Sequence, residues 1–183
     1  MTGRRLGIAM VVLAAALLVA VGVGAILLAS DEPAAPSAAA PRSAAGLRSA
    51  LRDAHPAVEP FSGLTEVAVG VGDRRLRLVV ADSVAERGEG LRRRRDLGSY
   101  DGMLFVFPED SLSAFTMSTV PVALDIGFYD EGGRRISKLR MEPCPAAESA
   151  CPLYQPTGPF RYAVETLGGR LPAGSLGPAG SQG

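Results

Sequence analysis

Few residues of this 183-residue chain are of a type that does chemistry: it has two cysteines, one histidine and no tryptophan. Cys144 and Cys151 are seven apart and flanked by Pro143 and Pro152. Outside the cytoplasm such a pair is expected to be a disulfide. Closing so small a ring contributes roughly 2–3 kcal/mol through loop entropy. A redox pair normally has two intervening residues at a helix start, which this spacing does not match. Two thiolates with Met103, Met117 and Met141 would suit Cu(I). Met103 and Met117 fall in apolar strand patterns, however, where packing is the ordinary role of methionine. No metal and no other cofactor is therefore expected. Asp125 stands mid-strand among apolar residues, where aspartate is disfavoured. Alternation places it on a face with Ala123, Gly127 and Tyr129. One reading is a carboxylate at a shallow pocket near Met117, Ser118 and Thr119, and these four form the candidate binding set. The other is an internal acid held by backbone or by Arg135, Arg140 or Arg161.

No nucleophile stands out. There is no Gly-x-Ser-x-Gly elbow, and the lone His55 precedes Pro56 in a segment read as linker. A hydrolytic carboxylate pair would need two of Asp125, Glu142 and Glu165 to converge. Val69-Gly-Val-Gly72 reads as a hairpin and not a phosphate loop, because no helix follows it. No catalytic residue is assigned.

The elements that must position these residues follow from composition and patterning. Leu6 to Ala29 is free of charge for 24 residues. That is long enough to span a bilayer with some tilt and longer than the roughly 7–15-residue apolar region of a secretory signal. We read it as an uncleaved anchor, the alternative being a signal cut near Ala29-Ser30. Arg4 and Arg5 precede it and Asp31-Glu32 follow, so the N-terminus is expected in the cytoplasm and the remainder outside. Arg4 and Arg5 are the only basic residues before Asp31, so residues 31–183 carry 17 basic against 19 acidic groups. This balance argues against a general nucleic-acid binder, which needs a basic excess.

Residues 31–62 are rich in Ala, Pro and Ser and read as a flexible linker. Leu47, Ala50, Leu51 and Ala54 lie at helical spacing within it, with Ser43 as a possible cap. A compact domain is expected over 63–168 and a flexible tail over 169–183. Thr65–Val71 and Arg74–Val80 read as a hairpin around Gly72-Asp73. Ser83 and Glu86 have the spacing of a capping box for a short helix over roughly 83–95. The run Arg92–Arg95 then reads as a solvated helical face. Met103–Phe107 should be a central strand, with Pro108 ending it. Further strands are expected at Leu112–Met117, Val122–Tyr129, residues 134–141 with a bulge between Ile136 and Leu139, and Phe160–Val164. The fold class is mainly β: a small β-sandwich or barrel with one short helix, preceded by a transmembrane helix and a flexible linker.

Several stretches together resemble the family called domain of unknown function 192. They are 80–91 (VADSVAERGEGL), 102–107 (GMLFVF), Phe115-Thr-Met117, 124–128 (LDIGF), Met141–Cys144 with Cys151–Tyr154, and 161–165 (RYAVE). The resemblance covers about residues 63–168. Thr116 stands where the family usually has tryptophan, Ser118-Thr119-Val120 where it has Asn-Thr, and Ala123 where it has proline. The resemblance implies a compact, mostly β domain, often exported, and no established reaction. The function expected is a non-catalytic, membrane-tethered module outside the cytoplasm that binds a ligand or partner of the cell envelope, with no nucleic acid involved. The alternatives are a hydrolase acting on envelope glycan or peptide through Asp125 and a second carboxylate, and a structural module.

Overall fold

The computed structural model describes residues 39–180. The anchor expected over Leu6–Ala29 and the first part of the linker lie outside the described residues. Among those described, no helix is long and apolar enough to cross a membrane.

Among the described residues, ten strands and two α-helices make the fold. Helix α1 spans Ala39–Arg52, followed by the two-residue β1 (His55–Pro56). Then come β2 (Thr65–Val71), β3 (Arg74–Ala81) and helix α2 (Val84–Glu89). Strands β4 (Gly102–Ser111), β5 (Phe115–Thr116), β6 (Leu124–Tyr129) and β7 (Arg135–Met141) follow. The last are β8 (Leu153–Tyr154), β9 (Phe160–Leu167) and β10 (Leu176–Pro178). Eight strands form one sheet in the order β1-β2-β3-β4-β9-β6-β7, with β10 also on β2. Strands β5 and β8 form a separate two-stranded patch. Among the described strands, β3 and β4 alone pair in parallel, joined by the crossover through α2.

The expected sandwich or barrel is thus corrected to one open, doubly covered sheet. The parallel step is the physical reason: a parallel pair needs a long crossover, and here the crossover packs Leu91 and Leu97 against a sheet face instead of extending a meander. The sheet curls far enough for the Leu176 N–H to donate to the Gly133 carbonyl at 2.8 Å, but no ladder closes it. Each face has its own core. Val79, Met103, Phe105, Leu124, Ile126 and Phe128 point to one. Leu47, Val69, Leu78, Tyr129, Val164 and Leu176 point to the other.

The hairpin forms as expected, with Gly72 at φ 57° in the turn. A Cβ there would sit 2.0 Å from the Ala173 carbonyl oxygen, because the C-terminal segment folds back over the turn. The bulge also forms: Phe128 pairs Ser137 and Tyr129 pairs Arg135, leaving Ile136 as the extra residue. Other boundaries move. The segment read as linker is folded from residue 39: Leu47, Ala57 and Phe61 are buried, the first against one face and the other two against the opposite face. Ser43 lies within α1 and not at its start. The tail read as flexible carries Leu171 and Leu176 into the core and donates β10 to the edge of β2. Both segments hold few apolar residues, but these few fill gaps that the sheet leaves. Pro108 does not end β4, which continues to Ser111 as its pairing with β9 becomes irregular, so the missing N–H costs no regular ladder bond. The strand expected over Leu112–Met117 shrinks to two residues.

Candidate functional site

The four residues of the expected binding set do not meet. The sheet divides them. Met117 is buried in the first core with Leu124, Ile126 and Phe128. Asp125 alternates with these along β6 and points through the other face. There its Oδ2 accepts from the Gly169 N–H at 2.9 Å and lies 3.3 Å from Lys138 Nζ. Its Oδ1 lies 3.4 Å from Arg140 Nη1. Asp125 is 4% exposed, and its acceptor capacity is taken up by these donors, as a buried carboxylate requires. Of the three arginines considered for it, Arg140 is the partner. Arg135 donates to the Pro172 carbonyl and Arg161 to Asp110.

Ser118 and Thr119 are also engaged. The Ser118 hydroxyl donates to the Ala146 carbonyl at 3.1 Å, and that of Thr119 to the Ser118 carbonyl at 2.6 Å. The Thr119 N–H donates to Cys144 O. They tie the 117–120 segment to the loop closed by the Cys144–Cys151 disulfide, which the structure contains. Arg92 completes the knot, donating to the carbonyls of Gly88 and Ser118 and to Glu148 at 2.8 Å. The arginine run is therefore not one solvated helical face. Helix α2 stops at Glu89, where Gly90 turns the chain with φ 51°. Beyond it, Arg92 is a staple, and Arg94 lies over the Phe61 ring at 4.2 Å while donating to Pro60 O.

A cavity of about 520 Å³ lies on the first face, beside this knot. Helix α2 and the turn after it form one wall, the outer half of β4 and residues 113–116 another, and Val120 and Glu148 close the rim. Each wall is locally determined. Ser83 Oγ accepts from the Glu86 N–H and Glu86 Oε2 accepts from the Ser83 N–H, so the expected capping box holds α2 in place. Arg87 reaches across, donating to the carbonyls of Asp82 and Val106 and lying 4.9 Å over the Phe107 ring. Phe105, Phe107 and Phe115 join edge-to-face, with Phe105 and Phe115 centroids 5.1 Å apart. Such contacts fix ring positions.

At the cavity floor is Glu165. It lies on β9, opposite Met103 on β4 and Ile126 on β6. It is 5% exposed and makes no side-chain hydrogen bond or ion pair among the described residues. Burial without a compensating donor disfavours its charged form, and its pKa is pushed up to about 8. At neutral pH the group is a carboxylic acid, able both to donate and to accept. Backbone geometry holds it there: a Cβ on Gly102 would come within 1.9 Å of the Glu165 carbonyl oxygen, so β4 approaches β9 this closely only with glycine. The hydrolytic pair built on Asp125 is not formed, because Asp125 and Glu165 lie on opposite faces of the sheet. Glu142 shares Arg140 with Asp125, its carboxylate lying 3.3 Å from Nε, so both acids are ion-paired, and its N–H donates to the Tyr154 hydroxyl. The signal for Glu165 was the one used for Asp125, an acid placed mid-strand in an apolar run. What was not legible was which acid lacks donors. No group of three or more metal-ligating side chains occurs among the described residues.

The sequence profile of the DUF192 family, described as "Uncharacterized ACR", matches residues 67–178. A crystal structure of a protein of unknown function from Novosphingobium aromaticivorans is similar at 30% identity and a TM-score of 0.55, covering 66% of this chain and 91% of its own. A protein from Sinorhizobium meliloti, called a "putative transcription regulator", has the same TM-score at 23% identity, over 64% of this chain and 96% of its own. The latter likeness is one of fold alone. No curated protein matches the chain significantly.

Proposed function

We propose, on the premise that this chain belongs to the DUF192 family, that it is a non-catalytic module binding a small ligand in the cavity floored by Glu165. One observation carries the reading. A carboxyl group buried without a partner costs stability, and Glu165 stands at the base of a preformed cavity with aromatic walls. Buried polar groups without partners mark sites where an external partner completes the set. Around it Arg87, Arg92 and Glu148 are engaged in holding the walls, as a rigid receptor requires.

The module works outside the cytoplasm, tethered through Leu6–Ala29, and its ligand is an envelope component or a small molecule passing through that space. Two features support this placement: the uncharged length of that segment and the Cys144–Cys151 disulfide, which persists where the compartment is oxidising. Alkaline phosphatase fused after residue 183 is expected to be active in cells, and an inactive fusion counts against the placement. The binding reading is tested by ¹H–¹⁵N spectra of the full chain against small amines, amides, sugars and carboxylates. Shifts are expected to cluster at residues 84–92, 105–116 and 165. A panel that leaves these resonances still, or that moves the Asp125 face instead, sinks the reading.

A further inference from the structure

Resting on that reading of the cavity, we propose that its ligand carries a primary ammonium group, which docks on the Glu165 carboxylate with an apolar portion against Phe105, Phe107 and Phe115. Three independent features point there. The first is the floor. A buried carboxyl without a hydrogen-bond donor is completed best by a cation that brings both charge and N–H groups. The second is the charge of the lining. Arg87 and Arg92 line the cavity with Glu89, Glu109, Asp110 and Glu148, and two of these carboxylates, Glu89 and Asp110, are already paired with cations outside the lining. Both arginines are held by carbonyls, and Arg92 is also paired with Glu148. Glu109 has no ion-pair partner among the described residues. Glu109 and Glu165 are thus the carboxylates of the lining left to meet a cation. The third is the wall chemistry. Phenyl faces attract cations as well as apolar groups, and the exposed Val84 at the mouth extends the apolar lining.

Binding has a proton balance. The free site holds Glu165 as the acid, and the bound site holds carboxylate against R–NH₃⁺. The proton leaves Glu165 for the solvent, and no covalent bond to carbon changes. The ammonium therefore competes with a proton for the same carboxylate. The other charged groups lining the cavity are Arg87, Glu89, Arg92, Glu109, Asp110 and Glu148.

The probes are hexylammonium, 1-hexanol and hexanoate, which share a chain and differ in the head group. Titrated calorimetrically into the full chain at pH 8, hexylammonium is expected to bind at least about tenfold more tightly than hexanol, in keeping with a charge-assisted contact. Its affinity is expected to tighten by up to about tenfold per pH unit from 6 to 7.5 and to level off above 8. In buffers of different ionisation enthalpy at pH 7, close to one proton should be released per amine bound. Glu165→Gln should abolish both the pH dependence and the proton release while retaining hexanol. If hexanol or hexanoate binds as well as hexylammonium, the cavity reading stands and the ammonium inference is overturned. If none of the three binds, the cavity reading itself fails.

Discussion

Glu165 sits between Met103 and Ile126 with no donor to meet it among the described residues, whereas Asp125, on the neighbouring strand but the opposite face, has Lys138, Arg140 and the Gly169 N–H. The same residue class therefore has opposite roles. Asp125 joins the β6–β7 hairpin to the turn after β9. Asp125→Ala should cost about 1–3 kcal/mol, the cost of leaving the Gly169 N–H without its acceptor, and leave ligand binding unchanged. Chemical denaturation together with the hexylammonium titration checks both halves. A loss of binding without loss of stability would return Asp125 to the site. Glu165 instead makes stability depend on pH. Its folded pKa of about 8 lies above the ordinary 4.5. Below pH 4.5 both folded and unfolded chains hold the proton and nothing is lost. As pH rises from 4.5 to 8 the unfolded chain releases the proton first, so stability falls by up to about 1.4 kcal/mol per pH unit. Glu66 and Glu86, held below the usual carboxylate range by Arg77 and by the Ser83 N–H respectively, change stability only at more acid pH. Denaturation curves at pH 5.5, 6.5 and 7.5 should show the fall in the native chain and not in Glu165→Gln.

At the scale of elements, α2 is too short to be stable alone and depends on its cap and on Arg87. Ser83→Ala should cost about 1 kcal/mol and loosen one cavity wall. A lower Tm together with weaker binding is the expected pair of results. Gly102→Ala should be far more damaging, since β4 and β9 would have to part around the Glu165 carbonyl. The β2–β3 hairpin, the capping box and the Ile136 bulge were legible in the sequence because each is set by residues close in the chain: a glycine at positive φ, a serine three before a glutamate, a slip in alternation. The β3–β4 parallel step and the route of α1 and β10 were not, because distant partners decide them. Leu47 and Leu176 look like isolated apolar residues in Ala-, Pro- and Gly-rich stretches until the sheet curls beneath them. The site divided in the same way. Alternation put Asp125 on a face correctly, with Ala123, Gly127 and Tyr129. It did not show that Met117 lies on the other face, or that Thr116 and Val120 line the cavity while the hydroxyls of Ser118 and Thr119 turn to backbone carbonyls.

At the scale of the molecule, the disulfide is a long-range brace for the cavity. It closes the loop that carries Glu148 to Arg92, and Thr119 bonds to Cys144 within the same knot. Replacing both cysteines by serine should cost roughly 2–3 kcal/mol and weaken binding more than Asp125→Ala does, because the Glu148 rim is freed. Equal binding by the double variant would show that the rim is set without the bridge. The central claim is that this fold keeps one carboxyl buried and unpartnered at the floor of a binding cavity. Its most direct test is the titration of the Glu165 side-chain carboxyl in the full chain, followed by its ¹³C shift. A midpoint near 8 that drops when hexylammonium is present is the predicted result, and a midpoint near 4.5 that no amine moves would contradict the account.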